Sequence, residues 1–270
     1  VYKGRVLIVS IMKFLVFLIL LPATSFSEPL KVALYENHDN YIKYSRAYRV
    51  NWELFKLAAN ADGFTVKAKP YLWLRSLNAL KEKKLDAVIG GYYSKERNKF
   101  AHFSLPTALD SIYLYAYKQK PYSLDQIKSK NSLVGVTTNS IGDSLAKDLN
   151  LTNVYRKSSS EQVFELLIKG KLDYAIFSES VAKTHCSIKE KRKLGENCLF
   201  SISPPIKTNG FHTLYSKTPK NLIIANRIEL STSKLIYEKK VKPIFLNAGY
   251  SEQEYQLWLE ARQNWINESM

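Results

Sequence analysis

Apolar and polar positions along the first third of the chain repeat in a strand–helix–strand rhythm. Leu30-Lys-Val-Ala-Leu-Tyr35 predicts a first strand, followed by a polar loop, Glu36-Asn-His-Asp-Asn-Tyr41. Val50, Trp52, Leu54, Phe55, Leu57 and Ala58 form the stripe of a helix over 48–61, which Gly63 ends. Residues 64–68 alternate like a strand, and apolar positions 73, 74, 77 and 80 predict another helix. Leu85-Asp-Ala-Val-Ile89 then reads as a buried strand running into Gly90-Gly91. This β-α-β-α-β order implies a parallel sheet covered by helices.

The rhythm then restarts. Strands are expected over 112–118, 133–136, 154–156, 172–177 and 211–216, with helices over 140–149, 160–168, 219–238 and 251–266. Two similar α/β units without a low-complexity linker suggest two lobes joined by crossing strands near 112–118 and 210–217. The expected division is 28–114 plus 214–270 for lobe 1 and 115–213 for lobe 2.

Ahead of these units, Lys13 precedes an unbroken apolar run, Phe14 to Leu21, and then the small-residue stretch Ala23-Thr-Ser-Phe-Ser27. That is the charge, apolar and cleavage pattern of a signal peptide over residues 1–27, with Met12 as its start and residues 1–11 as an upstream extension. The run is far shorter than the ~20 residues of a membrane span. No cysteine lies near the cleavage site, so the expected product is a free periplasmic protein beginning at Glu28.

Composition agrees with export. The only two cysteines, Cys186 and Cys198, would be joined in an oxidising compartment. Two Cys without a CxxC spacing and four scattered His argue against a metal site, and no cofactor is expected. The formal charge of +16 raises nucleic acid, anionic lipid or an acidic ligand as partners. The basic residues are scattered, however, and the run around Lys189–Lys193 reads as a solvated helix face, so nucleic acid is not expected. The 18 tyrosines, each an apolar ring with a polar tip, suit a wet cleft as well as half-buried sheet faces.

The segment Leu74-Arg-Ser-Leu-Asn-Ala-Leu-Lys-Glu-Lys-Lys-Leu-Asp86-Ala-Val-Ile-Gly-Gly, then Ser94-Lys-Glu-Arg97 and Phe103-Ser-Leu-Pro106, follow one another at characteristic spacing. Leu133-Val-Gly-Val-Thr-Thr-Asn-Ser140 and Gly170-Lys-Leu-Asp173-Tyr-Ala-Ile come after them. In this order they resemble the type 2 periplasmic solute-binding proteins, the polar-amino-acid family that serves ABC importers. The resemblance implies a two-lobed α/β fold, with two crossover strands as a hinge, closing on a small ligand.

It also implies roles for particular residues. Arg97 stands where that family pairs an arginine with the ligand carboxylate, a task suited to a planar guanidinium fork. Ser140, after Asn139, stands where a threonine opens a helix whose free N–H groups attract an anion. Trp73 aligns with an aromatic that stacks on the ligand, though its helical spacing also suits a core residue. Tyr35 and Tyr41 would form the other wall. Two positions depart from the family: Tyr92 replaces a ligand-binding serine, and Ser178 replaces the aspartate that holds the ligand ammonium. Glu179 is next to it, on a helix start that would point it elsewhere, and Glu36 is a further candidate. A buried ammonium facing Ser178 alone would be penalised, so the ligand is expected to be anionic or carboxylate-bearing, with anionic or neutral polar molecules preferred over zwitterionic amino acids.

Three functions follow. The first is a monomeric binding protein that hands its solute to an ABC-importer membrane subunit or reports it to a sensor. The second is a dehydratase-like enzyme on the same scaffold, with Glu179 or Asp173 as general acid. The third is an interaction protein with a degenerate pocket. No Ser-His-Asp or Cys-His pattern favours the second.

Overall fold

The computed structural model describes residues 28–118, 123–130, 132–190 and 198–269. The proposed signal peptide and Lys191–Lys193 of the basic run lie outside them. No described helix is long and apolar enough to cross a membrane.

Strand β1 (Leu30–Tyr35) buries Leu30, Val32, Ala33 and Leu34 and leaves Lys31 in water, the signature of a strand covered on both faces. It pairs in parallel with β2 (Val66–Tyr71) on one side and β3 (Ala87–Tyr92) on the other. Between them run α2 (Arg46–Ala61), capped by the Ser45 hydroxyl, and α3 (Trp73–Lys81). The stretch expected as a loop before α2 contains a short helix instead, α1 (His38–Tyr44). Its polar sequence has no apolar stripe; what orders it is Tyr41, buried edge-on against Tyr35 at 4.8 Å.

The one-turn helix α4 (Lys95–Asn98) and strand β4 (Ala101–Phe103) lead into β5 (Ala108–Ala116). The second unit follows: α5 (Leu124–Ser129), β6 (Val134–Thr137), α6 (Ile141–Asp148), β7 (Val154–Lys157), α7 (Ser160–Ile168), β8 (Tyr174–Ser178) and α8 (Glu179–Glu190). The final strand, β9 (Phe200–Ser216), is far longer than the sequence pattern suggested. Hydrogen bonding runs continuously through the order β2-β1-β3-β9-β5-β8-β6-β7, with β4 beside β9. The two parallel units are thus joined through the antiparallel pair β5 and β9.

That pair is broken at one point. Ile112 faces Lys207 and Leu114 faces Ile202, so Ser203-Pro-Pro-Ile206 bulges out of the ladder. Pro204 and Pro205 have no N–H to donate, which places them in such a bulge and hid the strand from a pattern search. Cys186 and Cys198 are bonded, tying α8 to the approach to β9.

Helix α9 (Pro219–Tyr237) packs on α2. A short helix missed in the sequence, α10 (Lys242–Asn247), precedes α11 (Glu252–Ser269). The buried Trp258 indole and Arg262 guanidinium both donate to the Pro106 carbonyl, at 2.8 and 3.0 Å. The chain's last helix therefore returns to its first unit.

Candidate ligand-binding site

A cleft of about 100 Å³ lies between the two units, at the carboxyl ends of their parallel strands. Tyr35 ends β1, Tyr92 ends β3, Thr137 ends β6 and Ser178 ends β8, and all four line it. This is where open α/β sheets bind ligands.

Arg97 is the buried charge of the cleft, only 5% exposed. Ser94 accepts a hydrogen bond from the Arg97 backbone N–H at 3.2 Å and so starts the turn that aims the side chain inward. Its fork is divided. Nη1 donates to the Tyr92 carbonyl and Nη2 to the Asn139 carbonyl of the other unit, each at 2.6 Å. Among the described residues no carboxylate forms an ion pair with it. Desolvation lowers its pKa to about 10, so it remains a cation at neutral pH.

Aromatic rings support that cation. The guanidinium carbon lies 5.0 Å from the Trp73 ring centre, and Tyr35 meets Trp73 edge-on at 5.9 Å. Trp73 is thus a half-buried residue that lines the cleft and also packs against the core cluster of Leu77 and Leu80. The Tyr35 hydroxyl donates to the Gly90 carbonyl at 3.2 Å. Gly90 has φ +82, and a Cβ there would stand 2.7 Å from the Phe211 ring, so the Tyr35 contact depends on glycine.

The opposite wall begins at the turn before α6. Asn139 takes the left-handed conformation, φ 57, which asparagine tolerates in place of glycine. Its side chain is exposed, and its carbonyl is the atom that meets Arg97. The Ser140 hydroxyl caps α6, accepting from the Asp143 N–H at 3.3 Å. A Cβ on Gly142 would stand 2.7 Å from the Ile176 carbonyl oxygen, so glycine lets the helix start press against β8.

Tyr35, Tyr41, Trp73, Tyr92, Arg97, Ser140 and Ser178 therefore all line one cleft. Glu36 lines it too, exposed at the surface, with its pKa raised by desolvation and by Glu161. Glu179 is not among the lining residues: it pairs with Arg46 at 3.8 Å and with Lys183. Asp173 accepts from the Leu133 N–H at 3.0 Å, a structural bond at a strand start.

Asp110 was not singled out from the sequence. It is 5% exposed, accepts from the Tyr92 hydroxyl at 2.7 Å and the Ser180 N–H at 3.4 Å, and interacts with the Ser178 side chain. Burial raises its pKa to about 6. The available signal was parity, since Asp110 alternates with the buried Ala108 and Ile112 along β5. His185 was also overlooked; it lines the cleft and its Nε2 lies 2.9 Å from the Ser160 hydroxyl.

Solved structures match this arrangement over most of their length. A histidine kinase sensor domain similar to periplasmic binding proteins superposes with a TM-score of 0.67, at 17% identity, over 82% of this chain and 96% of its own. The chain has the periplasmic-binding-protein fold. The arginine-, lysine-, histidine-binding protein ArtJ of Geobacillus stearothermophilus matches equally, at TM-score 0.67 and 17% identity, over 82% and 95% of the two chains. AbpA of Streptococcus pneumoniae, an ABC-transporter substrate-binding protein bound to L-arginine, gives 0.64 and 19% over 82% and 94%. No family model matches the chain, and no curated protein matches its sequence. In this fold the cleft between the units is the gap between two lobes.

Proposed function

We propose that the chain is a periplasmic solute-binding protein that holds a small polar, carboxylate-bearing ligand between its lobes and catalyses no reaction. The observation that carries this reading is Arg97, a buried guanidinium in an interlobe cleft, bonded among the described residues only to neutral carbonyls. A ligand carboxylate would replace those carbonyls with a charged, two-pronged acceptor. Ser140 and the start of α6 would assist, and Tyr35, Tyr41 and Trp73 would enclose the ligand body. Lobe 1 (28–114 and 214–270) and lobe 2 (115–213) would close about β5 and β9, with the Pro204-Pro205 bulge relieving the ladder at the bend. Export follows cleavage after Ser27. The partner is an ABC importer or, as the sensor-domain neighbour suggests, a signalling protein.

Calorimetry on the twenty amino acids and their deaminated carboxylic acids tests the reading. At least one should bind, and Arg97→Ala should cost roughly 2–5 kcal/mol of its affinity. Arg97→Lys should also bind poorly, because an ammonium cannot reproduce the fork. Equal affinity in Arg97→Ala would refute the assignment.

A further inference from the structure

Among the described residues, two buried charges beside the cleft, Arg97 and Asp110, have no ion-pair partner, and one residue connects them. Tyr92 gives its backbone carbonyl to Arg97 and its hydroxyl proton to Asp110. Among the described residues no cation pairs with Asp110, although Arg46 lies close by in the small cavity behind it. Arg46 is engaged by Glu179 and Glu254 instead. The Asp110 carboxylate is held by hydroxyls and one N–H only.

The consequence is directional. A tyrosine hydroxyl has one proton, and in Tyr92 it is committed to Asp110 at 2.7 Å. Ser178 interacts with the same carboxylate and accepts from the Val181 N–H at 3.3 Å. Both residues line the cleft. With its proton turned toward Asp110, what the Tyr92 hydroxyl can offer a ligand is an acceptor.

Resting on the carboxylate reading above, we propose that Asp110 is a positioning residue that sets ligand class: through Tyr92 it makes the wall beside Arg97 a hydrogen-bond acceptor, selecting carboxylates that also bear an N–H or O–H donor. Ser178 alone supplies no charge to face a ligand ammonium. Asp110 restores it one residue further back, so 2-amino and 2-hydroxy acids are both admitted and the bare acid is excluded. A buried acceptor left without a donor is what disfavours the bare acid.

The test uses matched trios: each amino acid, its 2-hydroxy analogue and its deaminated acid, titrated into the mature protein and into Asp110→Asn, Tyr92→Phe and Arg97→Ala. The wild type should prefer donor-bearing members by about tenfold or more. Asp110→Asn removes the charge and replaces one carboxylate oxygen with an N–H donor, so the Tyr92 proton is no longer held by a carboxylate and this ratio should fall to about threefold or less. Tyr92→Phe should lower it too, and decides the matter if Asp110→Asn does not fold. Loss of binding in Arg97→Ala, with the ratio unchanged in both other variants, overturns the role of Asp110 and leaves the cleft assignment standing. Unweakened binding in Arg97→Ala, or no binding by any trio, overturns both.

Discussion

Arg97 and Asp110 are costly residues to bury, because each loses hydration without gaining an ion pair. For Asp110 the cost depends on pH. Its pKa in the folded chain is about 6, against an ordinary value of 3.8, so the folded chain keeps the proton longer than the unfolded chain does. The stabilisation this represents is complete below pH 4, is lost as pH rises to about 6, and does not change further. Two pKa units correspond to about 3 kcal/mol as an upper bound. Asp110→Asn cannot titrate. The stability of Asp110→Asn relative to wild type should therefore rise by up to that amount between pH 4 and pH 7. Urea unfolding at several pH values measures it, and a constant difference would show that folding does not raise the Asp110 pKa.

At the scale of elements, the site depends on turns that end strands and start helices. The turn before α6 presents the Asn139 carbonyl only because that residue holds φ 57. Asn139→Gly should leave stability close to wild type, since glycine reaches this region freely. Asn139→Val should cost about 1–2 kcal/mol, from the clash of a β-branched side chain in the left-handed region. Thermal melting separates the two variants, and equal melting temperatures would mean that the turn can rearrange. The α4 turn works similarly, with the Ser94 cap fixing where Arg97 starts.

At the scale of the molecule, the same contacts hold the lobes together. Arg97 and Trp73, both from the first unit, meet one carbonyl of the second, at 2.6 and 3.5 Å. Tyr41 reaches Ser160 across the same gap. Arg97→Ala removes the 2.6 Å tie and should open the unliganded protein. Small-angle scattering should then give a larger radius of gyration for the variant than for wild type. Superimposable curves would show that closure does not depend on Arg97.

Local patterns in the sequence were enough for the alternation of strands and helices, the restart of the α/β unit and the cysteine pair, while Arg97, Ser140, Trp73 and Ser178, which line the cleft, were pointed out by the family resemblance. These features rest on neighbours within a turn or strand, or on motif order, which a linear reading preserves. It missed what depends on distant partners. Tyr41 orders a helix because Tyr35 and Tyr48 surround it, not because its own segment is helical in pattern. The length of β9 is set by β5, which continues to pair on both sides of Pro204-Pro205. Glu179 is adjacent to Ser178 in sequence yet turned toward Arg46, while Asp110, 68 residues earlier, stands behind the same wall. Asp110 stands beside both Tyr92 and Ser178 because β5 pairs with β8 on one side and with β9 on the other, and β9 in turn carries β3 with Tyr92.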